Sequence, residues 1–422
     1  MTVETGQASI GHATDERAGD QRAGDERAGD AVRKTPQDTP DEAAERVRAL
    51  VDRRLALFLD EHSAPVADPE VATAYRFLRN FILGGGKRVR PLLCYWGWRG
   101  AGGGDHEQII TVGAALELCH SGLLIHDDIM DGSELRRGRP ALHRSLAGLR
   151  PDPGRDPHRD PHPDPRRDPH PDPDPHRDSR RGADVSGEPA GPSFGQAAAI
   201  LLGTLTLAWS DELLSGSGAE PSRLRAAHVL FDRLRTEVIA GQYLDILAQS
   251  RGPATVEEAL TVVRYKTAKY TVERPLQIGG ALAGAAPSLL DLYSRFGLPL
   301  GEAFQLRDDV LGMFGDPAET GKPVLDDLRE GKHTLLMAHA RQRASGSDAR
   351  HLSTWHGNPE LTEERAAELR QIVIDTGALA HVETMIGERA GEALRVLAAA
   401  PIEPYVKEGL AALTDRLVHR SR

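Results

Sequence analysis

The feature that most constrains this chain is helical spacing sustained over most of its length. Apolar residues recur three and four apart through segments 107–131, 194–215, 221–249, 256–284, 287–312, 333–343, 361–398 and 404–420. Runs in which β-branched residues alternate with polar ones are missing, so a sheet has no material from which to form. The chain is therefore expected to be all-α, one large bundle of ten or more helices whose ligand sites are built from side chains on facing helices. The first helix should begin after Thr39, with Pro40 in the first turn and Glu42 closing a capping box, and run through Leu59.

Two stretches fall outside this pattern and explain a hydrophobic fraction of only 39%. Residues 1–40 repeat a five-residue Arg-Ala-Gly-Asp-(Glu/Gln) unit through Arg17, Arg22 and Arg27 and are expected to be a disordered tail. Residues 148–193 hold 12 of the 28 prolines, with 10 acidic and 8 basic residues, and read as a disordered, solvated insertion rich in Pro, Asp, His and Arg. His158, His162, His170 and His176 within it read as solvated imidazoles. The folded domain is expected to span 41–422, interrupted only by that insertion, which lengthens one loop between helices at small entropic cost.

Charge and cysteine content narrow the class further. A net charge of -11 with no concentrated basic face argues against nucleic acid. Cys94 and Cys119 are the only cysteines and are expected to be reduced thiols, and Cys119, in an apolar run, to pack as a small residue without acting as a nucleophile. Trp96 and Trp98 are expected to pack. The N-terminus lacks a basic and then apolar leader, and no 18 apolar residues run uninterrupted, so a cytoplasmic protein without a transmembrane segment is expected.

The chemistry is concentrated in three places. Asp127-Asp-Ile-Met-Asp131 ends the apolar segment that starts at Leu116. At about 100° per residue, Glu117, His120, Asp127, Asp128 and Asp131 share one arc of a helix. Clustered carboxylates raise one another's pKa unless a hard divalent cation joins them. Taken alone, the stripe reads more readily as a solvated acidic helix end. Gln305-Leu-Arg-Asp308-Asp309-Val-Leu-Gly312 repeats the arrangement at the end of another helix, so two acidic ends can face each other and hold Mg2+ between them. The third place is cationic: Gly84-Gly-Gly-Lys87-Arg88-Val-Arg90, then Arg136-Arg137, with Lys266, Lys322 and Lys332 later. Glycines admit close backbone approach, and Lys and Arg supply donors for a diphosphate. Together these demand an anionic ligand with an apolar body to lie along Leu116, Leu123 and Leu124; an isoprenoid diphosphate answers that description.

On these motifs the sequence resembles the trans-isoprenyl diphosphate synthases, the polyprenyl synthetase family, from about residue 45 to the C-terminus. The resemblance implies an all-α fold of the isoprenoid synthase type and a homodimer that joins isopentenyl diphosphate to an allylic diphosphate. It implies Mg2+ ligands at Asp127 and Asp131, with Asp128 in support, and at Asp308 and Asp309, with three ions per site. Lys87, Arg88, Arg90, His120 and Arg137 match the isopentenyl diphosphate site. Arg136, Lys266, Thr267, Gln305, Lys322 and Lys332 match the allylic diphosphate site, and Gly241, Gln242 and Asp245 match a cavity-lining helix. No protein nucleophile is implied, the released diphosphate serving as base.

Two departures stand out. Gly312 occupies a position where the family carries aspartate, which puts the third metal ion in doubt. Thr204 replaces a second aspartate, so a buried acidic contact is expected to be missing. Chain length is read from the residues before Asp127: Gly122 and Leu123 provide no aromatic floor, and Cys119 and Ala115 a turn or more earlier are small. A helical turn of about 5.4 Å is close to one isoprene unit, which favours a C20 geranylgeranyl product, with farnesyl and medium-chain products as alternatives. A class I terpene cyclase is disfavoured because the second acidic motif follows Phe-Gln and keeps paired aspartates. A non-catalytic partner subunit of a heteromeric synthase is the remaining rival, motivated by Gly312 and Thr204.

Overall fold

In the computed structural model, the described residues are 38–62, 65, 67–149, 193–315 and 324–419. Nearly all of the tail and of the insertion, and Lys322, lie outside them. Sixteen α-helices and one π-helical segment dominate these residues: α1 (Pro40–Glu61), α2 (Pro69–Leu83), α3 (Val89–Gly100), α4 (Glu107–Met130), α5 (Leu142–Ala147), α6 (Phe194–Ser215), α7 (Pro221–Arg251), α8 (Val256–Val262), the π-helix (Val263–Glu273), α9 (Arg274–Ala283), α10 (Pro287–Phe314), α11 (Val324–Arg329), α12 (Leu335–Arg343), α13 (Gly346–Trp355), α14 (Glu363–Asp375), α15 (Ala378–Ala398) and α16 (Pro404–Val418). A two-residue hairpin, β1 (Leu135–Arg136) and β2 (Arg139–Pro140), follows α4 with Leu135 opposite Pro140. The residues from Thr39 onward cluster as one unit.

Local chemistry sets the helix boundaries. At α1 the capping box forms as expected: Thr39 Oγ1 accepts from the Glu42 amide at 3.3 Å, and Glu42 Oε2 accepts from the Thr39 amide at 2.7 Å. Segment 361–398 divides because Gly377, at φ 70°, ends α14 and opens α15. Segment 256–284 is not one uniform α-helix. Its middle turns widen into the π-helix just before Arg274-Pro275, where proline has no amide hydrogen to give.

α4 forms the spine of the core. Ala115, Leu116, Leu118 and Cys119 are wholly or almost wholly buried, and α6 lies closely along it. That approach depends on Gly122, where a Cβ would stand 2.9 Å from the Gly203 carbonyl oxygen and 3.0 Å from Leu207 Cγ. Trp96 and Trp98 are buried as expected. By length and composition alone, Glu107–Met130 and Phe194–Ser215 would pass as membrane spans, since scattered polar residues do not bring down the mean hydropathy; 78% and 44% of their most apolar windows are buried within the fold.

Thr204 corrects an expectation. Its position is exposed on α6, and its hydroxyl donates to the Ile200 carbonyl at 2.9 Å, so within this chain it does not stand in for a buried acidic contact.

Candidate active site

The C-terminal end of α4, the π-helix, α7 and α10 meet around a cavity of about 130 Å³ lined by Asp127, Asp131, Asp245, Lys266, Thr267, Gln305, Asp309 and Lys332. Four carboxylates from three helices thus share one space with two ammonium groups. Lys266 Nζ donates to Asp245 Oδ2 at 2.7 Å and stands 3.5 Å from Asp127 Oδ1. Lys332 Nζ lies 2.8 Å from Asp327 Oδ1, 2.9 Å from Glu330 Oε2 and 3.9 Å from Asp131 Oδ2. Thr267 Oγ1 donates to Gln305 Oε1 at 2.6 Å, and Gln305 Nε2 to Asp309 Oδ1 at 2.8 Å. The π-helix is what sets Lys266 and Thr267 toward this space.

The electrostatics follow from burial and like charge. Burial would raise the Asp127 carboxyl, but Lys266, Arg136 and Lys332 hold it below its ordinary value. Burial and the neighbouring Asp127 charge push Asp131 up to about 6. Burial pushes Asp309 up to about 7, against the Gln305 hydrogen bond and with the Asp327 charge adding to the rise. Carboxylates so placed are short of positive charge.

These residues suit a hard divalent cation. Asp127 Oδ1 and Asp128 Oδ2 are buried without a hydrogen-bond partner, and the donors are oxygens. Among the described residues, no three His, Cys, Asp or Glu side chains converge closely enough to hold an ion unaided. Mg2+ is commonly bound in that way, by one or two carboxylates completed by substrate phosphate and water.

A basic shelf lies beyond the acidic cavity. Lys87 is exposed at the end of the glycine loop. Arg90 stacks over the Tyr270 ring, 4.2 Å from its centroid, and donates to Thr271 Oγ1 at 2.7 Å. His120 Nδ1 shares a hydrogen bond with Tyr270 Oη at 3.1 Å, and burial together with Arg90, Arg137, Arg136 and Arg88 keeps the imidazole neutral. Arg137, at φ 54°, donates to the Gly85 carbonyl. Tyr270 was not singled out by the sequence; its signal is the Tyr265-Lys-Thr-Ala-Lys-Tyr270 run, which lies in the π-helix and there meets both Arg90 and His120.

Several expected site residues stand elsewhere. Arg88, grouped by sequence with the isopentenyl diphosphate contacts, is only 2% exposed. Its guanidinium bonds Glu117 Oε1 at 2.6 Å, Asp52 Oδ1 at 2.7 Å and the Ile82 carbonyl at 3.2 Å. Asp128 is 1% exposed and turned to Arg136, whose Nε donates to its Oδ1 at 2.7 Å; it does not line the acidic cavity. Asp308 neighbours Asp309 on α10 but is not in that lining. Gly122 faces α6, because the helices touch there, and so does not open toward a product tunnel. Leu123 is half-buried, and Gln242 on α7 has a buried Nε2 without a partner.

Comparison with known proteins agrees with this geometry. Residues 71–150 and 176–373 match the polyprenyl synthetase family. Geranylfarnesyl diphosphate synthase of Aeropyrum pernix is 30% identical over 346 residues, covering 81% of this chain and 92% of that one. Nonaprenyl diphosphate synthase of Mycobacterium tuberculosis is 27% identical over 336 residues, covering 80% and 83%. The crystal structure of geranylgeranyl pyrophosphate synthase from Corynebacterium glutamicum, complexed with isoprenyl diphosphate and magnesium, superposes with a TM-score of 0.76 at 35% identity, covering 89% of this chain and 99% of that one. The chain belongs to the polyprenyl synthetase family, whose members are Mg2+-dependent trans-prenyltransferases.

Proposed function

We propose that this enzyme condenses isopentenyl diphosphate head to tail with an allylic diphosphate, and that its main product is C20 geranylgeranyl diphosphate. The observation that carries the reading is the convergence of two acidic helix ends, Asp127 and Asp131 on one side and Asp309 on the other, on a single cavity with Lys266 and Lys332. Asp127, Asp131, Asp308 and Asp309 would hold Mg2+, with Asp128 in support through Arg136; bound there, it neutralises charge on the departing diphosphate. Lys266, Thr267, Gln305, Lys332 and Arg136, with Lys322, orient that diphosphate. Lys87, Arg90, Arg137 and the neutral His120 hold isopentenyl diphosphate so that its double bond faces the allylic carbon. No side-chain nucleophile takes part, consistent with a Cys119 thiol that burial pushes up to about 12. The C20 length is supported by Cys119 and Ala115, both small, above the half-buried Leu123, and by relatives named as geranylgeranyl and geranylfarnesyl diphosphate synthases.

The same reading includes a cytoplasmic homodimer. Phe194, Ile200 and Leu201 on α6 and Val229, Ile239 and Tyr243 on α7 are exposed, Leu201 to 71%, and apolar surface of this kind favours a second copy. Sedimentation of the purified chain tests it.

The deciding experiment incubates the protein with Mg2+, isopentenyl diphosphate and C5, C10 or C15 allylic diphosphate. A C20 product supports the proposal; C15 or C25 and longer products overturn the length. No product from any primer, with turnover restored by a second synthase, supports the partner-subunit reading motivated by Gly312.

A further inference from the structure

Gly312 is the position at which the second acidic motif lacks its last carboxylate. It lies one turn beyond Asp308 and Asp309 on α10, and the space beside it is filled. A Cβ built on Gly312 would fall closer to Asp327 Oδ2 than real atoms approach. Asp327 comes from α11, and its other oxygen, Oδ1, accepts from Lys332 Nζ at 2.8 Å. The Lys332 amide also donates to the Asp327 carbonyl at 3.2 Å, so backbone and side chain fix the same pair. From there the ammonium stands 3.9 Å from Asp131 Oδ2, on the opposite acidic helix end.

The outer side of this segment is anchored independently. The Arg329 guanidinium donates twice to the Leu361 carbonyl, at 3.1 and 2.8 Å, and the Gly357 amide donates to the Leu328 carbonyl at 2.9 Å. Held from that side, α11 has little freedom to retreat from a larger residue at 312, so the Asp327 carboxylate is the part that must shift, and with it the group that holds Lys332.

We propose that Asp327 is a positioning residue of the diphosphate site: seated beside Gly312, it holds Lys332 and aims it between the two acidic helix ends. Gly312 leaves room for that carboxylate, and a side chain at 312 would push against it. This deepens the proposed function and rests on it, because Lys332 matters only if a diphosphate is bound.

The test is a double-mutant cycle of Gly312→Ala and Asp327→Asn, read by calorimetric titration with inorganic diphosphate and Mg2+ and by the KM for C15 allylic diphosphate. Each single variant is expected to weaken diphosphate binding about tenfold, as loss of one charge-assisted contact does, and the double variant no further, since both remove the same contact. Thermal midpoints read alongside distinguish this from general loosening, which would lower stability and leave affinity intact. Singles within twofold of the parent, or a double variant equal to the product of the singles, overturn the proposal. Should Gly312→Ala not fold, Asp327→Asn alone decides by affinity. A parent protein that neither binds diphosphate nor elongates any primer would instead overturn the proposed function.

Discussion

Arg88 Nη1 lies 2.6 Å from Glu117 Oε1, and both side chains are almost fully buried. The pair joins the start of α3 to the middle of α4, beneath the glycine loop. Glu117→Gln is therefore expected to leave a buried guanidinium short of its main counter-charge and to destabilise the fold by about 3 kcal/mol, the range for breaking a buried pair from one side. Asp52, half exposed, compensates little. Urea unfolding of the variant checks this; unchanged stability with a raised KM for isopentenyl diphosphate would return Arg88 to the substrate contacts.

Asp127→Ala removes a buried carboxylate shared by Lys266 and Arg136. Turnover at saturating Mg2+ is expected to fall about a hundredfold or more, on the scale of losing one transition-state electrostatic contact, and chelation of Mg2+ should abolish activity in the parent. Steady-state rates across a Mg2+ series would contradict the assignment if the variant ran within a few-fold of the parent.

Chain length offers a sharper comparison. Cys119→Phe places an aromatic one turn before Leu123 and should shift the main product from C20 toward C15, whereas Leu123→Ala should lengthen it. Because Cys119 is fully buried, the larger residue also carries an overpacking cost of about 1–3 kcal/mol. Chromatography of the dephosphorylated products is the readout, and an unchanged distribution in both variants would place the tunnel elsewhere.

His356 ties stability to pH. Burial, then Arg341 and His333, lower its pKa to about 3, and its Nδ1 accepts from Arg341 Nη2 at 3.1 Å. The unfolded chain takes up this proton first, below about 6.5. The contribution is therefore complete above pH 6.5 and is lost as pH falls toward 3, at about 1.4 kcal/mol per pH unit. Unfolding free energies at pH 7 and 5 should differ less in His356→Asn than in the parent; equal slopes would refute the burial argument.

Replacement of residues 150–190 by a short linker should preserve both folding and turnover. The flanking helices already touch: a Cβ on Gly195, in the first turn of α6, would lie 2.9 Å from the Ala147 amide nitrogen at the end of α5. A lower thermal midpoint in the deletion would give the insertion a structural role.

What the sequence revealed depended on how local the cause was. The Thr39–Glu42 cap is written in adjacent residues and was legible. So were the two acidic motifs, because two apolar helices each ending in clustered aspartates point to a shared cation site where either one alone would pass as a solvated helix end. Asp128 was read as a support to the first motif, but the means was not legible: its partner Arg136 reaches it through a hairpin that leaves almost no trace in periodicity. Gly122 was read only as lacking an aromatic floor, and the approach of Gly203 on α6 shows what lies against it. Tyr270 and Asp327 escaped notice because their partners lie far away in sequence or depend on a missing side chain.

The π-helix carries a final implication for the length of the chain. At one end it turns Lys266 and Thr267 to the cavity; at the other it leads into α9, whose backbone lies directly on α3. There a Cβ on Gly279 would overlap the Cys94 carbonyl, and one on Gly97 would overlap the backbone of Leu276. A π-helical turn takes up about one residue more than an α-helical turn, so removing a single residue from 263–273 would rewind the segment as ordinary α-helix. α9 would keep its place on α3, while the side chains inside the segment would turn to new directions. The length of the segment therefore sets which of its residues face the cavity.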